Sequence, residues 1–210
     1  MSGTSLSELQ RYVALGDSSS AGLPDDPYPP WPELLVEDLK RTSPGVAFSN
    51  LAVVGATMPE LAKHQVPAAM ELEPELVTLV CGLNDVIWSM CPDADAYRES
   101  LLTCVRQLKR LSRPPLVVLA TLADVSGYVP FRPRSRARVA HGTAAFNAVV
   151  RDVATRHGCA LVDVERSPHS SDPTSFAGDG IHATRDGHLR MAEGAVEAIR
   201  GAASIVHRAA

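Results

Sequence analysis

Five short apolar runs, rich in β-branched residues, show little alternation between apolar and polar positions. They cover residues 12–15, 46–51, 76–81, 116–122 and 160–164. Alternation is expected of strands with one face in water, whereas runs without it are typical of strands covered on both faces. The pattern therefore predicts five buried strands of a mostly parallel sheet.

Helical patterns lie between these runs, with apolar residues recurring every three or four positions. They predict helices over residues 32–40, 93–111, 135–157 and 186–207. Because strand and helix alternate to the end, we expect an α/β fold, a three-layer α/β/α sandwich. Residues 1–210 are expected to form a single domain, with frayed termini at about 1–9 and 205–210. Ligands of such sheets bind beyond the carboxyl ends of the strands.

Composition and charge narrow the class of protein. Of 210 residues, 45% are hydrophobic and 21% are charged, which is ordinary for a globular domain. The formal charge of −4 gives no reason to expect a nucleic acid or an anionic membrane surface as partner. No run approaches the roughly 20 apolar residues of a membrane span, and residues 1–10 lack the pattern of a secretory signal.

The four cysteines are widely spaced and do not suggest a shared structural role. Cys81, Cys91, Cys104 and Cys159 form no Cys-x-x-Cys pair and have no histidine at ligand spacing. A disulfide framework or a zinc site is therefore disfavoured. Free thiols in a reducing compartment fit better, so we expect a cytoplasmic protein.

Two motifs near opposite ends of the chain carry the candidate chemistry. Residues 16–20 read Gly-Asp-Ser-Ser-Ser directly after the first predicted strand, and residues 179–182 read Asp-Gly-Ile-His. Ser18 supplies a nucleophile, His182 a base for its proton, and Asp179 a carboxylate to orient the imidazole. Taken singly, Ser18 is as readily a turn or cap residue, His182 a packed or exposed histidine, and Asp179 a turn residue.

Two further segments follow predicted strands and supply hydrogen-bond donors. Gly55 lies in the segment after the second strand, and Asn84 follows the third. The Gly55 N–H, the Asn84 side-chain amide and the Ser18 N–H would together form an oxyanion hole. Each alone is more simply interpreted as a turn or cap residue.

In this order, the four segments resemble the SGNH (GDSL-type) family of esterases and lipases. The matching blocks are residues 16–20, 50–57, 82–85 and 179–182. The resemblance implies a flavodoxin-like sheet, Ser18 as nucleophile, His182 as base and Asp179 as the orienting carboxylate. It also implies Ser18, Gly55 and Asn84 as oxyanion donors. Ala183 and Thr184 depart from the residues often found after the histidine, which leaves the shape of that loop open.

Other chemistries have weaker support. Ser18 lacks the Gly-x-Ser-x-Gly context of an α/β-hydrolase, and no dinucleotide or P-loop motif is present. His182 and His188 with neighbouring aspartates suggest a metal site only weakly, and His188 is better interpreted as beginning or capping the last helix. Cys81 is expected to pack as a small hydrophobe. We expect no metal and no cofactor.

Residues near the same edge could form the substrate rim. Trp31 and Trp88 are candidates for the cleft wall. Anchoring of Trp31 in the core and burial of Trp88 against the next helix are equally compatible with the sequence. Arg132 and Arg134 belong to a run of four arginines after the fourth strand, which could bind an anionic group. Such runs are more often solvated and paired with surface acids.

The sequence thus predicts a serine-dependent carboxylic-ester hydrolase that acts through an acyl-enzyme on small or medium acyl esters. Two alternatives use the same scaffold: an acyltransferase or acyl-thioesterase with the same site, and a non-catalytic binding protein. The expected partner is a small-molecule ester, with no nucleic acid and no membrane span. The oligomeric state is left open.

Overall fold

The computed structural model describes residues 9–23 and 25–208, and of residues 205–208 it describes only the backbone. The predicted fraying at residues 1–9 and 205–210 therefore falls mostly outside the described residues. Leu9, at the inner end of the first of these segments, is buried in the hydrophobic core.

A five-stranded sheet forms the centre of the molecule, with order β2-β1-β3-β4-β5 and all neighbours parallel. The strands are β1 (Arg11–Gly16), β2 (Ala47–Asn50), β3 (Leu76–Val80), β4 (Leu116–Ala120) and β5 (Ala160–Val162). This is the strand order of flavodoxin-like folds. The predicted sheet and its five strands are confirmed. Several strands end one or two residues before the end of the apolar run that predicted them. Those extra residues form the loops at the carboxyl edge.

The described part of the chain contains eight α-helices, seven of which lie between strands. They are α1 (Ser18–Ala21), α2 (Trp31–Leu39), α3 (Met58–Glu60), α4 (Val66–Glu71), α5 (Leu83–Ile87), α6 (Ala94–Leu108), α7 (Pro133–His157) and α8 (Arg185–Arg208). The four long predicted helices correspond to α2, α6, α7 and α8. The short helices α1, α3, α4 and α5 were not predicted. A π-helical turn, Leu61–Gln65, joins α3 to α4.

Helices cover both faces of the sheet, so the predicted three layers are present. One hydrophobic cluster packs α3, α4, α6 and α7 on one face, with Leu108 and Phe146 at its centre. The other packs α2 and α8 on the opposite face, with Trp31 and Ile199 buried. Within the described ranges, no helix is long and apolar enough to cross a membrane.

Two buried amides tie helices to the carboxyl edge of the sheet. Gln65 accepts from the Gly16 N–H and donates to the Gly16 carbonyl, both at 2.9 Å. Asn147 makes the equivalent pair with Leu122, at 2.7 and 2.9 Å. Each amide satisfies backbone groups where strand pairing ends, as buried polar groups require. The backbone is therefore fixed immediately before the functional loops begin.

Candidate active site

Ser18 lies in a tight turn between β1 and the short helix α1. The Asp17 N–H donates to the Val80 carbonyl at 3.3 Å, and the Asp17 carboxylate accepts from the Ser19 N–H at 2.9 Å. Asp17 thereby caps α1 as an N-cap residue. Because Gly16 is clamped by Gln65 and Asp17 caps the next turn, the position of Ser18 is fixed from both sides.

The side chain of His182 lies between the side chains of Ser18 and Asp179. His182 Nε2 is 3.2 Å from Ser18 Oγ, and His182 Nδ1 is 2.5 Å from Asp179 Oδ2. The second carboxylate oxygen of Asp179 accepts the backbone N–H groups of Ile181 and His182 at 2.9 and 3.0 Å. A donor at Nδ1 leaves Nε2 as the proton acceptor facing the serine hydroxyl.

The other two serines of the first motif do not share this arrangement. The Ser19 and Ser20 hydroxyls are buried, and neither has a hydrogen-bond partner in the part of the chain that the structure describes. Only the Ser18 hydroxyl, among the three, is in contact with His182. The structure therefore favours Ser18 over its neighbours as the reactive hydroxyl.

The loop that carries His182 is held by local packing. Phe176 and Ala183 form an antiparallel bridge, and the Tyr128 and Phe176 rings stack with centroids 4.4 Å apart. Gly180 has φ +72°, and a Cβ there would lie 2.7 Å from the Tyr128 carbonyl. Glycine is thus required for the turn between Asp179 and His182. These contacts define the loop shape that the sequence left open.

Asn84, one of the three candidate oxyanion donors, contacts the Ala56 carbonyl next to Gly55. Asn84 Nδ2 donates to Ala56 O at 2.9 Å, which leaves its second amide hydrogen free for another acceptor. Asn84 and Ser18 line the same cleft, whereas Gly55 is exposed next to Ala56 and is not part of the cleft lining. Gly55 has φ +81°, which L-residues rarely adopt.

Gly82 determines how Asn84 is presented. Its φ is +133°, and a Cβ there would lie 2.7 Å from the Tyr97 ring. The Tyr97 hydroxyl donates to the Cys81 carbonyl at 2.9 Å, so the ring is anchored directly beneath this turn. The close approach of ring and backbone explains why glycine precedes the short helix α5.

Burial and hydrogen bonds set the ionisation of the carboxylates. Burial raises the pKa of Asp17, although N–H groups of Ser19 and Gly82 act against the rise. Burial also raises the pKa of Asp85 to about 6. At Asp179 burial acts in the same direction, but hydrogen bonds from the His182 ring and from backbone N–H groups lower the pKa below its ordinary value. The lowered pKa keeps the Asp179 carboxylate beside His182 ionised at neutral pH.

A cleft of about 580 Å³ opens beside Ser18 and His182. Its walls are largely apolar and come from β5, α5, α8 and the loops at the carboxyl edge. The apolar side chains include Leu83, Ile87, Leu122, Leu161, Val164, Phe176, Ile181 and Met191. A cleft with apolar walls and a few polar groups at one end suits an acyl group attached to a reactive carbonyl.

The two tryptophans lie at different depths in this cleft. Trp31 is buried in the core and also borders the cleft, so both interpretations of its role hold. Trp88 borders the cleft but is 79% exposed, so the alternative of burial against the next helix is wrong.

His188 is a cleft residue whose role the sequence did not reveal. It lies in the first turn of α8 and is buried, and its Nδ1 accepts the Trp31 N–H at 3.3 Å. Burial lowers its pKa, so the ring stays neutral, with its proton on Nε2. No local sequence signal marks this position, because the partner is 157 residues away.

For Arg132 and Arg134 the structure favours the solvated alternative over a place in the wall of the cleft. Both are exposed at the start of α7, and neither belongs to the lining of the cleft. Arg138 from the same run instead donates to the carbonyls of Val86, Ile87 and Ser89. It holds the loop that follows α5 rather than binding a substrate in the cleft.

Cysteines and metal-ligating side chains were the remaining candidates for chemistry at the site. All four cysteines are free thiols. Burial raises the pKa of Cys81 well above its ordinary value, and its Sγ contacts the Ala56 carbonyl at 3.4 Å. It packs as a small hydrophobe, as predicted. Across residues 9–23 and 25–208, no group of three histidine, cysteine or acidic side chains is arranged to hold a metal ion.

Comparison with known proteins gives a consistent result. The sequence profile of the GDSL-like Lipase/Acylhydrolase family matches residues 14–190. A search of curated proteins found no match.

Solved structures share the fold over nearly their whole length. A lipase/acylhydrolase from Enterococcus faecalis is 25% identical, with a TM-score of 0.72 over 92% of this chain and 96% of that one. TesA is 24% identical, with a TM-score of 0.69 over 92% of this chain and 99% of that one. A catalytic mutant of the acetylxylan esterase Axe2 from Geobacillus stearothermophilus is 19% identical, with a TM-score of 0.73 over 91% and 94%.

Proposed function

This chain belongs to the GDSL-like lipase/acylhydrolase family, whose members hydrolyse ester bonds, and we propose that it acts through an acyl-enzyme on Ser18. The observation that carries the proposal is the aligned contact of His182 with both Ser18 and Asp179, at 3.2 and 2.5 Å. A serine hydroxyl is a weak nucleophile until a neighbouring base accepts its proton. This arrangement supplies that base in the correct tautomer.

Acylation begins when Ser18 Oγ attacks the ester carbonyl and His182 Nε2 takes the serine proton. The carbonyl oxygen becomes an oxyanion, which the Ser18 N–H and the free amide hydrogen of Asn84 stabilise from the cleft. The Gly55 N–H is the third donor, as the family resemblance implies. The bond to the alcohol oxygen then breaks, and His182 gives its proton to that oxygen. The alcohol leaves, and the acyl group stays on Ser18 as an ester.

Deacylation repeats the sequence with water as the nucleophile. His182 takes a proton from water, the resulting hydroxide attacks the acyl carbon, and Ser18 regains its proton when the acid leaves. Asp179 stabilises the imidazolium in both steps without accepting its proton.

Access of water to the site favours hydrolysis over acyl transfer. The side chains of His182 and Asp179 are 27% and 47% exposed. An acyltransferase needs a cleft that excludes water from the acyl-enzyme. We therefore propose that water is the acceptor.

The size and lining of the cleft support small or medium acyl groups as substrates. About 580 Å³ of space lies beside Ser18, within the range of small-molecule sites. The free thiols of all four cysteines support a reducing, cytoplasmic location, which stays a prediction.

A substrate panel tests the proposal. Acetyl, butyryl and octanoyl p-nitrophenyl esters and the matching thioesters are compared, with and without added alcohol, for the wild type and Ser18→Ala. We expect free acid as the main product and a loss of kcat of about 10³-fold or more in Ser18→Ala. Transfer to the alcohol as the main reaction would assign an acyltransferase, and normal turnover by Ser18→Ala would overturn the assignment of Ser18.

A further inference from the structure

The net charge of the chain conceals a strong segregation of charge. Residues 98–157 carry eleven lysines and arginines against three acidic residues, whereas the rest of the chain carries nine against twenty-one. This basic segment includes most of α6 and all of α7, which lie on the same face of the sheet. The protein therefore has one basic side, although its overall charge is negative.

At the amino end of α7, which lies at the carboxyl edge of the sheet, this basic side is exposed and unpaired. Arg132, Arg134 and Arg136 are exposed at the start of α7. In the described part of the chain none of them forms an ion pair. Arg132 and Arg136 are four residues apart and pair with no acidic side chain of the described residues, so they repel one another and are poorly explained as stabilising groups.

Contacts of the same helix place these arginines beside the loop that carries Trp88. The Arg138 guanidinium donates to the carbonyl of Val86 at 2.8 Å and also to the carbonyl of Ser89. Arg134 lies one helical turn before Arg138 and therefore on the same side of α7. Arg134 is thus on the side of α7 that faces the loop that follows α5.

Trp88 and Met90 extend from this loop into water. They are 79% and 88% exposed, the highest values among the large apolar side chains that the structure describes. Trp88 also borders the cleft. We call Trp88, Met90, Arg132, Arg134 and Arg136 together the basic lip.

We propose that the basic lip binds the surface of anionic phospholipid, so that the cleft opens at the interface between lipid and water. Tryptophan prefers that interface because its ring is apolar and its N–H is polar. Arginines near an anionic surface are attracted to it, and their stems can cover apolar surface while the charge stays in water. The acidic remainder of the chain would orient the molecule with the lip towards the surface.

A lipid surface fits the lip better than an acidic protein does. A stable protein interface usually buries about 800 Å² on each partner around a packed apolar centre. The lip instead has only two apolar side chains, both largely exposed, together with exposed arginines. Binding to a lipid surface does not require shape complementarity.

This proposal deepens the proposed function, because it names where the ester substrate comes from. It rests on the proposed function only in that respect. If it is correct, the acyl ester enters the cleft from lipid rather than from bulk water. Binding is measured without turnover, so failure of the two proposals can be told apart.

The test uses vesicles of phosphatidylglycerol and, separately, vesicles of phosphatidylcholine, mixed with the full chain. The chain has two tryptophans, and because Trp31 is only 2% exposed, a change in emission reports on Trp88. We expect phosphatidylglycerol vesicles to cosediment the protein and shift its emission to the blue, an effect that salt weakens. The same shift should be absent in Trp88→Phe and with phosphatidylcholine.

Charge removal identifies the surface. In the triple variant Arg132→Gln, Arg134→Gln, Arg136→Gln we expect the partition coefficient to fall about 100-fold, with hydrolysis of dissolved p-nitrophenyl acetate unchanged. The control removes Arg106, Arg110 and Arg113 in the same way. These arginines are also exposed but lie on or after the end of α6, towards the amino edge of the sheet. Binding of this control variant to phosphatidylglycerol vesicles should stay within a few-fold of that of the wild type.

Three outcomes would overturn the proposal. The first is that the protein does not bind phosphatidylglycerol vesicles, and the second is that both triple variants lose binding equally. The third is that the protein binds soluble poly-L-glutamate instead of vesicles, and that this binding depends on the lip arginines. The third result would assign the surface to an acidic polypeptide.

Discussion

His182 Nε2 lies 3.2 Å from Ser18 Oγ, although 164 residues separate them in sequence. Neither side chain is held by the other. Ser18 is fixed by the end of β1 and the cap of α1, and His182 by its own turn with Asp179. Because each half of the pair is positioned independently, either one can be changed without displacing the other.

Replacing Asn84 with alanine should slow the enzyme without unfolding it. If Asn84 donates to the oxyanion, its loss should lower kcat by about 10²–10³-fold while KM changes little. The lost hydrogen bond to the Ala56 carbonyl should reduce the free energy of unfolding by about 1 kcal/mol. Steady-state kinetics and thermal unfolding separate the two effects. A large rise in KM at constant kcat would assign Asn84 to substrate binding instead.

Asp179→Asn tests the orientation of the imidazole. The amide can donate to His182 Nδ1, which would leave the ring proton on Nε2, where it cannot accept from Ser18. Because Asp179 is 47% exposed, we expect a loss of kcat of about 10²–10³-fold rather than the larger effect at a buried triad. Asp186→Asn is the matched control, since Asp186 is exposed nearby at the start of α8. Equal activity of both variants would exclude this role for Asp179.

The raised pKa of Asp85 makes stability depend on pH. Its carboxyl binds a proton more tightly when folded, with a pKa of about 6 against an ordinary value of 3.8. Between about pH 4 and 6 the folded state holds more protons, so the free energy of unfolding falls as pH rises through this window.

Asp85→Asn should remove that contribution. Its side-chain oxygen can still accept the Met58 N–H, which Asp85 accepts at 3.0 Å. After discounting for partial exposure, we expect the variant to be about 1–2 kcal/mol more stable than the wild type at pH 8, with no such gain at pH 4. Denaturant unfolding at the two pH values measures this. A variant less stable at pH 8 would show that Asp85 stabilises the fold as a carboxylate.

Gly82→Ala should destabilise the turn before Asn84. Its φ of +133° is unfavourable for alanine, and the new methyl group would lie 2.7 Å from the Tyr97 ring. We expect a loss of about 2–4 kcal/mol. Gly201→Ala is the control, because that glycine is in helix α8 with no atom within 4 Å of the new methyl group. There we expect a gain of up to about 1 kcal/mol, and equal effects at both sites would refute the steric argument.

The sequence predicted the elements whose signal is local. Buried parallel strands read as unbroken apolar runs, and α6 and α7 show a regular apolar periodicity, so both were predicted to within a few residues. The segment 58–71 was missed because Pro59 and Pro67 interrupt its pattern and a π-helical turn lies between two short helices. Such a segment is helical because tertiary packing supports it.

The site was predictable where each residue follows the end of a strand. Ser18, Asn84 and the loop after Leu122 border one cleft because parallel strands end at one edge. Gln65 and His188 were missed because each is defined by a partner distant in sequence. Arg132 and Arg134 were assigned to the rim from their place in the chain, but helix α7 carries them outside the cleft lining.

The most direct measurement of the central claim is covalent labelling by a fluorophosphonate, followed by peptide mass spectrometry. Such a probe reacts with a serine that a neighbouring base has activated. We expect one adduct per chain, on Ser18, formed at least about 100-fold more slowly in His182→Ala. An adduct on another residue, or equal labelling of Ser18 without His182, would contradict the account.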